Sequence, residues 1–205
     1  LTCDKVLVAA GRKPCTEGLG LDEAGVKLDE TRRIAVDENY QTNRPNIYAI
    51  GDLIHGPMLA HKAMDEGVVL IEKLAGEHPV VDYNLIPGVV YTHPEAASIG
   101  ATEEQLKEQG TPYKVGRFPF MASGRARAMD NVDGFVKVLA NPESGKLLGV
   151  HIIGPFASEL ISEAVTIMSF DGSIEDIALT MHAHPTLSEA FKEAALGAFG
   201  KAVHA

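Results

Sequence analysis

Two apolar runs, residues 134–140 and 147–153, flank the polar stretch NPESGK at 141–146. Short apolar runs bounded by Asn, Pro, Ser and Gly read as strands, and so short a connection returns the second strand antiparallel to the first. More short strands are expected at 88–92, 95–99 and 113–120, and helical spacing then takes over. Thr102, with Gln105 three residues on, opens a helix that Gly110 ends. Leu160, Ile161, Ala164, Val165 and Met168 place one buried face on a helix over 157–170. A short helix at 174–179 follows, and a last one runs through Leu187, Ala190, Phe191, Ala194 and Ala195 with Thr186 at its cap. Strands followed by helices predict an α+β domain, an antiparallel sheet flanked by helices.

The first part of the chain has a different pattern. Residues 5–10 (KVLVAA) read as a buried strand closing on Gly11. Residues 34–36 form a plausible short strand, and NIYAIGD at 46–52 is an apolar run ending at Gly51-Asp52. Over 58–75, Leu59, Ala63, Met64, Gly67, Leu70, Ile71 and Leu74 recur at helical spacing and predict a helix with one buried face. GEHPVVDYN at 76–84 reads as a linker between two modules. A length of 205 residues suits one large domain or two small ones. A net charge of −10 argues against nucleic acid and anionic membranes as partners. No apolar run approaches the ~18 residues of a membrane span. Cys3 and Cys15 match neither a CxxC pair nor metal-ligand spacing, so they read as reduced thiols, and no metal site is expected. A chain that opens on Leu1, inside an apolar run, is expected to be a piece of something longer.

The segment HAHPTLSE at 182–189 supports two readings. A proline directly after His184 holds that histidine out of helical geometry just ahead of a helix, with Glu189 in its first turn. An imidazole held by a carboxylate is the arrangement of a general base working near neutral pH. The same residues also fit the capping box T-x-x-E, in which Glu189 merely accepts the amide of Thr186. Asp52 closes an apolar run, where ligands bind in open α/β sheets, or else makes a local turn. Met58, Leu59, Ala60 and His61 begin the long helix, whose amides suit an anion or an electron-rich ring, or are simply a helix start. Gly11 allows close backbone approach to a nucleotide, although most strand-end glycines only make turns. His93-Pro94 and His184-Pro185 are candidates for cis peptides. Arg125 and Arg127 in SGRARA are free to meet a carboxylate or a partner, or to be solvated. Neither GxGxxG nor GxxxxGK[ST] is present, so no complete nucleotide cradle is visible.

Taken together and in this order, six segments resemble the carboxyl half of a flavoprotein disulfide reductase of the pyridine nucleotide-disulfide oxidoreductase family, class I, most specifically the dihydrolipoamide dehydrogenases. They are VLVAAGRKP at 6–14, YAIGD at 48–52, GPMLAHKA at 56–63, YTHPE at 91–95, SGRARA at 123–128 and HAHPTLSEAFKEA at 182–194. The resemblance implies that residues 1–13 end an NAD-binding domain, with Gly11 near the dinucleotide. It implies that residues 14–81 belong to a central domain contacting FAD, where Asp52 meets the ribityl or phosphate region and Met58, Leu59, Ala60 and His61 line the isoalloxazine ring. Residues 82–205 would form the interface domain of a homodimer. His184 would be the base, oriented by Glu189, that takes a proton from a dihydrolipoyl thiol and serves the partner subunit's redox disulfide, with electrons passing through FAD to NAD+. A 2-oxo acid dehydrogenase complex is a further partner the resemblance implies, and the compartment is bacterial cytoplasm or mitochondrial matrix. The redox pair CxxxxC is absent, as are the amino-terminal FAD cradle and most of the NAD fold. The chain alone is therefore expected neither to hold FAD firmly nor to turn over. A glutathione-type reductase and a non-catalytic dimerisation module are the alternative readings.

Overall fold

A computed structural model describes residues 2–204, so the expectation placed on Leu1 lies outside the described residues. The chain divides into two compact units, 1–83 and 84–205.

The second unit is built on a five-stranded sheet. β1 (Gly88–Val90), β2 (Glu95–Gly100), β3 (Lys114–Pro119), β4 (Phe135–Ala140) and β5 (Leu147–Gly154) lie in the order β1-β2-β5-β4-β3, every neighbouring pair antiparallel. The 141–146 connection turns as its residues require. The Asn141 side chain accepts the amides of Glu143 and Ser144 at 2.9 Å each, the local bond that suits Asn to turns. Register slips at the hairpin mouth, where Leu139 faces Gly149 and Ala140 faces Leu147, leaving Leu148 as a bulge. β3 shows clean alternation: Gly116 and Phe118 are buried while Val115, Arg117 and Pro119 are exposed.

Helices cover this sheet. The segment Ala157–Ser169 packs on β2 and β5. Its first turn has no cap of its own, but Glu95 on β2 accepts the Ser158 amide at 2.9 Å. That bond holds the Glu95 carboxyl below its ordinary range. The helix Ile174–Leu179 starts at a capping box formed by Ser173 and Asp176, as Glu103–Glu108 does at Thr102 and Gln105. The last helix, Glu189–Gly197, packs on β3 and β4. It comes close because Gly116 offers no side chain: a Cβ there would lie 1.9 Å from the Ala194 carbonyl oxygen. Val136, Val138, Val150, Ile152, Phe118, Ile161, Phe191 and Ala194 form the core between sheet and helices.

The first unit is irregular. Its core gathers Val26, Ile34, Tyr40, Ala49, Ile54 and Val69. Its main helix is Ala60–Leu74, after a single turn at Leu21–Ala24. Three expectations are corrected here. Residues 5–10 form no strand, and Val6, Leu7 and Val8 are 78%, 90% and 81% exposed. A strand needs a partner for its backbone groups, and none of the described residues pairs with this run. The 34–36 and 46–52 runs reach only isolated bridges, Leu28 to Ile34, Val36 to Thr42 and Gln41 to Tyr48, so Asp52 follows a bridge rather than a strand. The helix 60–74 buries Lys62, Glu66 and Val69, while Met64, Ile71 and Leu74 are exposed. Its apolar residues spread over more than one stripe, and a charged pair occupies the inner one.

Candidate functional site

The candidate residues fall into two sets, one in each unit. In the second unit the chain leaves Leu179, passes His184-Pro185 and enters the last helix at Glu189. Both His93-Pro94 and His184-Pro185 are cis. His184 Nδ1 lies 2.9 Å from Glu189 Oε1, and Glu189 Oε2 accepts the Thr186 amide at 2.8 Å. One carboxylate therefore does both things that the sequence left as alternatives. The other half of the expected capping box is missing. The Thr186 hydroxyl donates to the Ala183 carbonyl at 2.7 Å, and Ser188 stands at the helix start without a side-chain cap. Thr186 is thus not the cap: the helix starts at Ser188, and the Thr186 hydroxyl, which donates to Ala183, accepts only from the Ser188 hydroxyl at 3.4 Å.

The imidazole is 76% exposed and its carboxylate partner 28%. Partial burial opposes ionisation of Glu189, but the Thr186 amide, the His184 hydrogen bond and the charge positions of His184 and His204 outweigh it. Its carboxyl is held below the ordinary range. A carboxylate accepts only, so Nδ1 carries the hydrogen of that bond, and in the neutral imidazole the lone pair is then on Nε2. Nε2 meets no hydrogen-bond partner among the described residues. An imidazole held in this way can accept a proton at Nε2.

The loop that presents His184 is itself fastened. His182 bonds through Nε2 to Glu163 at 2.7 Å and through Nδ1 to the Thr180 carbonyl at 3.1 Å. Lys192 donates to the same carbonyl at 2.8 Å. Farther along the helix, Glu193 accepts the Val203 amide and His204 Nδ1, each at 2.8 Å. On the approach to His184 in sequence, Leu179 and Met181 are 84% and 92% exposed. Arg127 donates through Nε to the Met121 carbonyl at 2.5 Å, while Arg125 lies exposed on the short helix Gly124–Ala128.

In the first unit, Gly51, with φ +71°, opens a 3₁₀ turn, Gly51–Leu53, that packs against the start of the long helix. Asp52 is exposed on that turn. Leu59 is the extended residue before the helix, no side chain caps it, and no acidic residue lies in its first turn. Met58 and Leu59 are half-buried, Ala60 and His61 exposed. Gly11, with φ +89°, is exposed and has open space where a Cβ would stand. The sequence reading missed the residues that hold this turn. Lys62 and Glu66 form a buried ion pair around the Gly51 peptide, and Tyr83 donates to Glu66. Arg33 fastens the following loop through the Ile54 and Gly56 carbonyls at 3.0 and 2.7 Å. The available signal was the Lys62–Glu66 spacing of one helical turn, which suits an ion pair.

The chain matches known proteins along its length. A family profile described as the pyridine nucleotide-disulphide oxidoreductase dimerisation domain matches residues 86–195, and one described as pyridine nucleotide-disulphide oxidoreductase matches residues 1–67. Dihydrolipoyl dehydrogenase 1, mitochondrial, of Arabidopsis thaliana is 57% identical over 204 residues, covering 100% of this chain and 40% of that protein. The mitochondrial dihydrolipoyl dehydrogenase of Sus scrofa is 55% identical over 205 residues, again 100% and 40%. Among solved structures, LpdA from Mycobacterium tuberculosis superposes with a TM-score of 0.83 at 28% identity, covering 89% of this chain and 40% of that one. The HOCl-induced flavoprotein disulfide reductase RclA of Escherichia coli does so with 0.84 at 26%, covering 91% and 43%. The chain spans about 40% of the length of the curated relatives it matches. It belongs to the pyridine nucleotide-disulphide oxidoreductase family and carries that family's dimerisation domain.

Proposed function

We propose that this chain is the carboxyl-terminal part of an FAD- and NAD-dependent dihydrolipoyl dehydrogenase, supplying its general base and its homodimer interface. Residues 1–13 would end the NAD-binding domain, with Gly11 near the dinucleotide, 14–81 form part of the central domain and 82–205 the interface domain. The observation that carries the reading is the His184–Glu189 pair at 2.9 Å with Nε2 open to a ligand. The exposed Leu179 and Met181 beside it support a protein partner at that edge.

His184 Nε2 would take the proton of a dihydrolipoyl thiol. The thiolate attacks one sulfur of the redox disulfide, which this chain lacks, forming a mixed disulfide and releasing the other cysteine as thiolate. Glu189 stabilises the imidazolium while it holds the proton, and base work of this kind contributes ~10²–10⁴-fold. The first unit's residues fit a flavin: an exposed Asp52 carboxylate accepts from sugar-chain hydroxyls, and the uncapped helix start behind Met58, Leu59, Ala60 and His61 suits an electron-rich ring edge. FAD bound there would carry the electron pair from the dithiol to NAD+. The relatives' names say mitochondrial, which supports the matrix over the bacterial cytoplasm, and no helix of the described residues is long and apolar enough to cross a membrane. Association with a 2-oxo acid dehydrogenase complex belongs to the same proposal. The test is NAD+ reduction by dihydrolipoamide with the full-length, FAD-loaded protein. Turnover supports the reading. Reduction of glutathione disulfide without lipoamide turnover would replace it by the glutathione-type alternative.

A further inference from the structure

The Gly51 peptide is gripped on both sides by a buried ion pair. Lys62 and Glu66 lie one turn apart on the 60–74 helix, both side chains 0% exposed, 3.0 Å from each other. Glu66 Oε2 accepts the Gly51 amide at 2.7 Å, and Lys62 Nζ donates to the Gly51 carbonyl at 2.9 Å. Glu66 Oε1 also accepts the Tyr83 hydroxyl at 2.5 Å. Burial, then the bond to Glu66, push that hydroxyl well above the usual phenol range, so it stays a donor. Gly56 leaves room for the arrangement, since a Cβ there would meet Lys62 Cε at 3.0 Å and the Tyr83 ring at 3.2 Å.

A buried ion pair is a weak source of stability, because desolvating two charges offsets most of their attraction. What this one does hold is orientation. Its two hydrogen bonds fix the amide and the carbonyl of Gly51, the residue immediately before Asp52. We propose that Lys62, Glu66 and Tyr83 are positioning residues that hold the Gly51–Asp52 turn so that the Asp52 carboxylate is presented to the hydroxyl chain of the flavin. The inference rests on the proposed function above and extends it to the residues that hold the turn.

The test is FAD titration of the flavin-stripped full-length protein, read by flavin fluorescence, with apoprotein melting measured beside it. Variants are Glu66→Gln, Tyr83→Phe and, as reference, Asp52→Ala. If losing the grip leaves the turn competent in a tenth of molecules, apparent Kd rises ~10-fold. The expected result is that Glu66→Gln weakens FAD binding by about tenfold or more and Tyr83→Phe by a smaller factor, in molecules whose apoprotein still melts cooperatively. Should Glu66→Gln fail to fold, Tyr83→Phe carries the test. A lowered melting temperature with unchanged FAD affinity marks a structural role and overturns the proposal. If Asp52→Ala weakens binding while neither other variant does, the positioning role alone falls. If Asp52→Ala leaves FAD affinity unchanged, the flavin reading of Asp52 falls and takes the inference with it.

Discussion

Adding one methyl group at Gly116 should separate the sheet from the helix that carries Glu189. The built Cβ lies 1.9 Å from the Ala194 carbonyl oxygen, 2.8 Å from the Ala198 amide nitrogen and 3.0 Å from the Ala198 Cβ. Carbon–oxygen contacts settle near ~3.3–3.6 Å, so helix 189–197 must retreat by about 1.5 Å or the strand must bend. A gap of 0.5–1 Å already forfeits about a quarter to a half of each dispersion contact along the interface. Overpacking of this kind costs ~1–3 kcal/mol. Replacing glycine within a strand returns roughly 0.5–1 kcal/mol. Because the clash is with backbone, which cannot rotate away, Gly116→Ala belongs at the upper end, a net loss of about 2 kcal/mol. Urea unfolding followed by circular dichroism should show the midpoint fall with little change in slope. Gly124→Ala is the control: a Cβ there meets nothing within 4 Å, and stability should hold or rise by up to ~1 kcal/mol. A Gly116→Ala midpoint equal to wild type, or Gly124→Ala as the more damaging change, would refute the packing argument.

Glu193→Ala leaves the Val203 amide and His204 without their acceptor; a loss of ~1–3 kcal/mol is expected in thermal unfolding, with the tail opened to carboxypeptidase. Burial first of all holds the His151 imidazole below its ordinary 6.5. The unfolded chain therefore binds that proton first, and the contribution present above about pH 6.5 is lost as pH falls toward the folded value. His151→Gln should flatten the melting temperature over that range, and an unchanged slope would count against it. Glu95→Gln weakens the acceptor that caps helix 157–169 and should cost about 1 kcal/mol. Since the Glu95 carboxyl is held low, its contribution is present above about 4.5 and fades in more acidic solution.

The second unit was legible because its signals are local. The 141–146 turn, the Thr102–Gln105 box and the 157–169 helix each need only near neighbours in sequence, and each formed. The first unit was legible only in part. Apolar runs at 5–10 and 46–52 say that a segment prefers an extended shape, but pairing depends on a partner that sequence periodicity does not name. The inner face of helix 60–74 was misassigned because Lys62 and Glu66 are core residues only as a pair bound to Gly51, fifteen residues before Glu66. At His184, spacing left cap and orienter as alternatives, since both need Glu189 in one place. Two carboxylate oxygens with different partners make them compatible.

The central claim is that His184 is a base oriented by Glu189. It is tested most directly by stopped-flow reduction of the full-length, FAD-loaded protein by dihydrolipoamide, comparing wild type with His184→Gln. The account predicts flavin reduction slowed at least ~10²-fold, with the flavin spectrum and the melting temperature unchanged. A rate within about tenfold of wild type would contradict it.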